Sequence, residues 1–148
     1  MKRFTTYKLQ LVKESTALYE PSSDSIKCAD DARRIAVEIG YENFADEVFG
    51  LFCLNTKGIV VWYHEVSHGD VTGSLVHPRE IFKRAMLNNA TLIIVVHNHP
   101  SGDATPSDTD IKTARRIADA GELLGIPLVD SIVIGFGCYT SLKADGVI

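Results

Sequence analysis

The chain has 148 residues, and 15 Lys+Arg against 19 Asp+Glu leave a formal charge of −4. With 45% hydrophobic and 23% charged residues it has the make-up of one ordinary soluble domain, long enough to bury a core without staples. Its longest apolar runs, such as 92–96 and 132–134, fall far short of the roughly 20 residues that span a bilayer. The basic start, Met1-Lys2-Arg3, is followed by Lys8, Gln10, Lys13 and Glu14, which interrupt any signal-peptide core. Cys28, Cys53 and Cys138 form no CxxC pair; Cys53 and Cys138 read as small buried hydrophobes of a cytoplasmic protein. The acidic balance gives no support to broad binding of a phosphate backbone, so nucleic acid is not an expected main partner.

Residues 1–25 form a polar lead-in, in which 4–12 has the pattern of an extra strand and Pro21-Ser22-Ser23-Asp24-Ser25 breaks the chain with turn formers. Asp30 or Asp31 caps a predicted helix running to about Ile39, with Ala32, Ile35, Ala36 and Ile39 on one face and Gly40 as a stop. After Glu47 the segment 47–54 is apolar almost without alternation, the pattern of a strand covered on both faces. Asn55-Thr56-Lys57-Gly58 then turns the chain into a second strand over 59–65. Residues 69–75 read as loop and short strand. Pro78 suits the first turn of a helix reaching about Asn88, with Ile81, Phe82, Ala85 and Met86 inward. Residues 92–96 are a β-branched run typical of a central strand. A helical period through Ile111, Ala114, Ile117, Ala118 and Leu124 marks 108–124, and 129–134 and 138–142 close the chain as two strands. This order predicts an α/β fold over 26–148: a single-domain mixed β-sheet flanked by helices.

The informative stretch follows the central strand: His97-Asn98-His99-Pro100, then a loop to Ser107-Asp108-Thr109-Asp110. Two residues apart in extended chain, His97 and His99 point to one side and Asn98 to the other. Pro100 reinforces extended geometry at His99. Two imidazoles at a strand end can converge on one ion, with Asp110 as a third ligand from the first turn of the next helix. Two His and one carboxylate suit a zinc site that keeps a position open for water. Such chemistry also needs a general base and a donor to the developing oxyanion, a role open to Ser107. Ser107 and Asp110 equally resemble a helix capping box, although Glu or Gln is the usual partner. A cap does not account for paired histidines ending a buried strand, and both readings can hold together.

His97-x-His99-Pro100, six residues, then Ser107-x-x-Asp110 resembles the JAMM motif of the MPN/JAB metalloproteins. The wider context, Ser74-Leu75-Val76-His77-Pro78-Arg79-Glu80 and Asp130-Ser131-Ile132-Val133-Ile134-Gly135, is similar to the RadC-like branch over roughly 26–142. The resemblance implies a deaminase-like α/β/α sandwich in which His97, His99 and Asp110 bind zinc and Ser107 assists the transition state. An upstream glutamate acts on the water. Glu47, leading a hydrophobic, glycine-containing strand, matches that glutamate, and Glu65 is its rival. The implied function is metal-dependent hydrolysis of a peptide, isopeptide or other amide bond in a protein or peptide substrate. Two alternatives stand beside it: a DNA-repair or mobile-element accessory protein, and a metal-stabilised interaction module without turnover. The chain resembles short RadC-like proteins without an N-terminal helix-hairpin-helix region.

His64-Glu65-Val66-Ser67-His68 is a literal HExxH, which binds zinc only on a helix. The β-branched, aromatic 59–63 before it predicts a strand, where positions four apart lie about 13 Å from one another. His77 before Pro78 reads as structural, Trp62, Tyr63 and Tyr139 as packing, and Arg79, Lys83 and Arg84 as a solvated helix face.

Overall fold

Ala32, Ile35 and Ala36 recur at helical spacing and bury one side of α1 (Ala29–Ile39). The helix starts two to three residues earlier than a cap at Asp30 or Asp31 would set it, with Cys28 at its N-cap. Asp31 sits at the third helical position, its carboxylate accepting from the backbone N–H of Lys27 at 2.9 Å and of Cys28 at 3.2 Å. Next come β1 (Val48–Leu54), whose residues are buried at every position but Phe49, and β2 (Val60–His68). In α2 (Pro78–Leu87) the proline occupies the first turn and His77 Nδ1 accepts from the Arg79 N–H at 3.1 Å, the structural role expected of His77. The remaining elements are β3 (Leu92–Asn98), α3 (Asp108–Leu124), β4 (Leu128–Ile134) and β5 (Tyr139–Ser141). The computed structural model describes residues 25–69 and 76–148. The strand expected over 4–12, and all but the first residue of the loop expected over 69–75, lie outside these. Among the described residues no helix is long and apolar enough to cross a membrane.

The five strands form one mixed sheet in the order β2-β1-β3-β4-β5. Strand β1 is antiparallel to both its neighbours, β3 and β4 are parallel, and β5 folds back on β4. Strand alternation divides the side chains between two faces. Val48, Phe52, Ile94, Val96, Ile132 and Ile134 pack with α1. Leu51, Cys53, Ile93 and Val95 pack instead with α2 and α3 through Ile81, Phe82, Ala85 and Ile117. Helices on both faces of one sheet give the expected α/β sandwich.

Several details differ from the sequence pattern. Strand β2 continues past Glu65 to His68, because Val48 and Phe49 supply paired partners for His68 and Ser67. Met86 and Leu124, expected inward, are exposed at their helix ends. Cys53 is buried as expected, whereas Cys138 lies exposed in the turn before the short β5.

Candidate metal centre

Because β1 runs antiparallel to β3, its beginning and the end of β3 share one edge of the sheet. Phe49 pairs with His97 in register, and its ring stacks on the imidazole at 5.7 Å between centroids and 10° between planes. Glu47, two residues before Phe49, therefore faces the same side as His97. The parallel crossover from β3 to β4 carries α3 over that face, so its first turn lies above the histidines. Sites at the carboxyl ends of parallel strands are the rule in open α/β sheets.

The resulting cluster joins Glu47, His97, His99 and Asp110, each offering a ligand atom within 4.8 Å of the others. Asp110 divides its carboxylate between the imidazoles: Oδ1 lies 3.3 Å from His97 Nε2 and Oδ2 3.4 Å from His99 Nε2. The His99 Nδ1–H donates to the Asp103 carbonyl at 2.8 Å, which leaves the Nε2 lone pair facing the cluster. His97 is only 2% exposed, and neither of its ring nitrogens has a hydrogen-bond partner. A buried polar atom without a partner is costly, and coordination to a cation would satisfy Nε2. The cluster could hold a metal ion.

Burial pushes the Glu47 carboxyl above its ordinary value, with the two imidazoles pulling against it and Asp110 adding to the push. Burial acts on Asp110 in the same sense. There the facing His97 and the Ser107 donors outweigh it and hold the carboxyl well below the usual range. Ser107 caps α3 and completes a reciprocal box: its hydroxyl donates to Asp110 Oδ2 at 2.7 Å, its N–H to the same oxygen at 2.7 Å, and its oxygen accepts from the Asp110 N–H at 3.1 Å. Cap and cluster thus coexist in the same two residues.

A family model, RadC-like JAB domain, matches residues 26–147. The chain belongs to that family. A UPF0758 protein of Syntrophomonas wolfei is 41% identical over 126 residues, covering 83% of this chain and 54% of the relative. One of Desulforamulus reducens is 40% identical over 140 residues, covering 95% and 61%. One of Clostridium beijerinckii is 51% identical over 102 residues, covering 69% and 44%. The chain therefore spans about half the length of the curated relatives it matches.

Elsewhere in this RadC-like JAB domain the literal HExxH forms no site. Val66 is an extra residue between the paired Phe49–Ser67 and Gly50–Glu65 positions, and this bulge reverses the alternation. His64 faces α2, where the Asn88 side-chain N–H donates to its Nε2 at 2.6 Å. His68 lies on the α1 side with Glu65, its Nδ1 2.7 Å from Glu65 Oε1 and its Nε2 3.6 Å from Asp46 Oδ2. Glu65 is thereby on the opposite face from His97, and Glu47 is the glutamate beside the cluster. On α2, Arg79 is exposed, while Lys83 and Arg84 pair with Glu80 at 2.8 Å and 3.0 Å.

Three contributors escaped sequence reasoning. Asp103 lends His99 its carbonyl, and its carboxylate accepts from the Thr105 N–H at 2.9 Å and hydroxyl at 2.7 Å, an Asx turn readable in Asp103-x-Thr105. Gly135 allows the β4–β5 turn to close on the histidine loop: a Cβ there would lie 2.3 Å from the Gly102 carbonyl oxygen. Asn98, the residue between the two histidines, bonds on the far face to the segment that carries Glu47.

Proposed function

We propose that this domain is a zinc-dependent hydrolase that uses water to cleave a peptide, isopeptide or other amide bond. The observation that carries this is the convergence of Glu47, His97, His99 and Asp110 from three separate segments onto one point beside a helix N-terminus. The spacing of the cluster is compatible with zinc. Ligands about 2.0–2.2 Å from a tetrahedral ion stand roughly 3.3–3.6 Å from one another. His97 Nε2 stands 3.3 Å from Asp110 Oδ1 and His99 Nε2 3.4 Å from Oδ2, so a small turn of the carboxylate would bring one oxygen near that spacing from both. Three protein ligands, His97, His99 and Asp110, leave one position open, as hydrolytic zinc sites require.

When bound there, zinc supplies Lewis acidity and makes water a competent nucleophile near neutral pH. Glu47 accepts the proton as the water oxygen bonds to the carbonyl carbon. It then delivers that proton to the nitrogen as the C–N bond breaks, so the products are a carboxylic acid and an amine, which ionise to carboxylate and ammonium when the remaining water proton passes to the amine. The Glu47 carboxyl stands beside the histidines and Asp110, where it can both take up and return that proton. Ser107 donates its hydroxyl to the tetrahedral oxyanion. That proton is engaged with Asp110 Oδ2 in the structure, so the hydroxyl must rotate as charge develops.

Glu47→Gln is the test, run on a peptide and isopeptide cleavage screen with and without a chelator. Zinc should still bind and raise the melting temperature, and chelator-sensitive cleavage should disappear. Full activity in the variant overturns the assignment of the base.

A further inference from the structure

Asn98 stands between the two histidines in sequence and on the opposite face of β3 in space. It is 2% exposed, and all of its side-chain hydrogen bonds go to one segment. Oδ1 accepts from the Val48 N–H at 2.8 Å, and Nδ2 donates to the Asp46 carbonyl at 3.0 Å and more weakly to the Phe44 carbonyl at 3.4 Å. The surroundings admit one amide orientation, since the flipped group would set donor against donor at Val48 and acceptor against acceptor at Asp46. The β1–β3 register ends at Phe49 and His97, so the amide takes over where the backbone ladder stops. On the other side, the Glu47 carbonyl accepts from the Gly69 N–H at 3.0 Å, beyond the end of β2.

The geometry points to Asn98 as a positioning residue: it clamps the peptide groups on both sides of Glu47 and so fixes the base relative to the histidines flanking Asn98 itself. This rests on the reading of Glu47 as the base. The reasoning is one of alternation. A strand that turns residues 97 and 99 toward the cluster must turn 98 away from it, toward the backbone that delivers Glu47 to the same cluster. A single tripeptide then carries two ligands on one face and the register of the base on the other. Only a side chain with both donor and acceptor at this length serves: Asp keeps the bond from Val48 and loses the grip on Asp46, and Ala loses both.

The test needs no substrate and uses the full chain, labelled with 13C and 15N, with and without Zn2+. Parent, Glu47→Gln, Asn98→Ala and Asn98→Asp are compared, Glu47→Gln serving to assign the Glu47 carboxylate resonance. In the parent, Zn2+ should move the Glu47 carboxylate 13C signal together with the His97 and His99 ring 15N signals. In Asn98→Ala, Val48 amide exchange should accelerate about tenfold, as expected for one lost hydrogen bond. The Glu47 response should fall by half or more while both histidine responses persist. Zinc affinity should drop by much less than the roughly 10–100-fold that follows loss of a ligand's own hydrogen-bond partner. Asn98→Asp should keep Val48 slow and give an intermediate Glu47 response.

An undiminished Glu47 response in Asn98→Ala overturns the proposal, as does an equal loss of the Glu47 and histidine responses, which marks plain support of the fold. If the alanine variant does not fold, the same comparison is decided in Asn98→Asp. Val48 exchanging at the open-chain rate in the parent overturns the clamp without any variant. If the parent histidines respond to Zn2+ and Glu47 does not, the base assignment itself fails; if the histidines do not respond, the metal reading fails.

Discussion

Replacing Asp110 with Asn separates the two tasks assigned to its carboxylate. As a cap partner, Oδ2 accepts from the Ser107 N–H and hydroxyl, each at 2.7 Å, and an Asn carbonyl oxygen can accept both. As a ligand, the carboxylate brings the negative charge that faces His97 and His99, which Asn lacks. Zinc at a hundredfold excess over its dissociation constant stabilises the folded state by about 2.7 kcal/mol. At roughly 2–4 °C per kcal/mol for a chain near this size, the parent should melt about 5–11 °C higher with zinc than after chelation. A hundredfold weaker site at the same zinc concentration retains only about 0.4 kcal/mol, a shift of roughly 1 °C. Chelated Asp110→Asn should melt below the chelated parent, because the carboxylate that His97 and Ser107 hold ionised is gone, so the zinc-induced shift within each protein is the quantity compared. Ser107→Ala is the complement: losing the cap costs about 0.5–2 kcal/mol with or without metal, and the zinc-induced shift survives. Circular-dichroism melts across a zinc titration, with calorimetric binding curves, read both quantities. A parent-sized zinc shift in Asp110→Asn would reduce Asp110 to a capping acid and refute the ligand assignment.

Two further outcomes follow from other contacts. Gly135→Ala places a methyl 2.3 Å from the Gly102 carbonyl oxygen, 2.7 Å from Cys138 Sγ and 2.9 Å from the Ala104 nitrogen. Such overpacking should cost about 1–3 kcal/mol. It should also weaken zinc binding by displacing the loop that holds His99, and a calorimetric affinity equal to the parent's contradicts that coupling. The third concerns His64, whose burial, aided by Arg84, lowers its pKa below the ordinary 6.5 and keeps it neutral as an acceptor for Asn88. Its contribution is present in full above about pH 6.5, the unfolded-state value, and is lost as pH falls below it toward the depressed folded value. His64→Gln keeps an acceptor and removes the titration, so urea midpoints at pH 7.5 and 5 should converge relative to the parent. Exposed His68, raised by Glu65 and Asp46, has the opposite sign and is common to both proteins, so it cancels in the comparison.

The parts of the centre that were legible in the sequence are those governed by local rules. Strand alternation set His97 and His99 on one face, and helix capping set Ser107 and Asp110 at the start of α3. The strands themselves were equally legible wherever burial on both faces left no polar position, as in β1 and residues 92–96 of β3. What escaped depended on pairing between distant segments. The extension of β2 to His68 needs Val48 as a partner, and the bulge at Val66 is visible only once β1 and β2 are in register. Cys138 departs from its strand pattern because its strand-like neighbours conceal a turn, with Gly137 at φ 66°, that leaves the residue exposed and its thiol facing the Gly102 carbonyl. Met86 and Leu124 obey the helical period and are nevertheless exposed, while Asn88 and Ile126, two residues further on, are buried.

The same distinction explains how a literal HExxH failed while a sparser pattern assembled. On a strand, residues four apart stand about 13 Å from one another whichever way they face, and the bulge at Val66 in addition sent His64 and His68 to opposite faces. Around His97 and His99 the chain is held extended from both sides. Val95, Val96 and His97 are paired with β1 and β4, and the His99 N–H donates to the Ile134 carbonyl at 2.9 Å. A motif on a doubly paired central strand is therefore more trustworthy than an equal match on an edge strand, where a bulge can enter with fewer hydrogen bonds to break. Beside His97 and His99, the histidines at 64, 68 and 77 satisfy Asn88, Glu65 and the α2 cap. With those assigned to packing and capping, the imidazoles left facing a shared point are those on the strand whose geometry was least free to change.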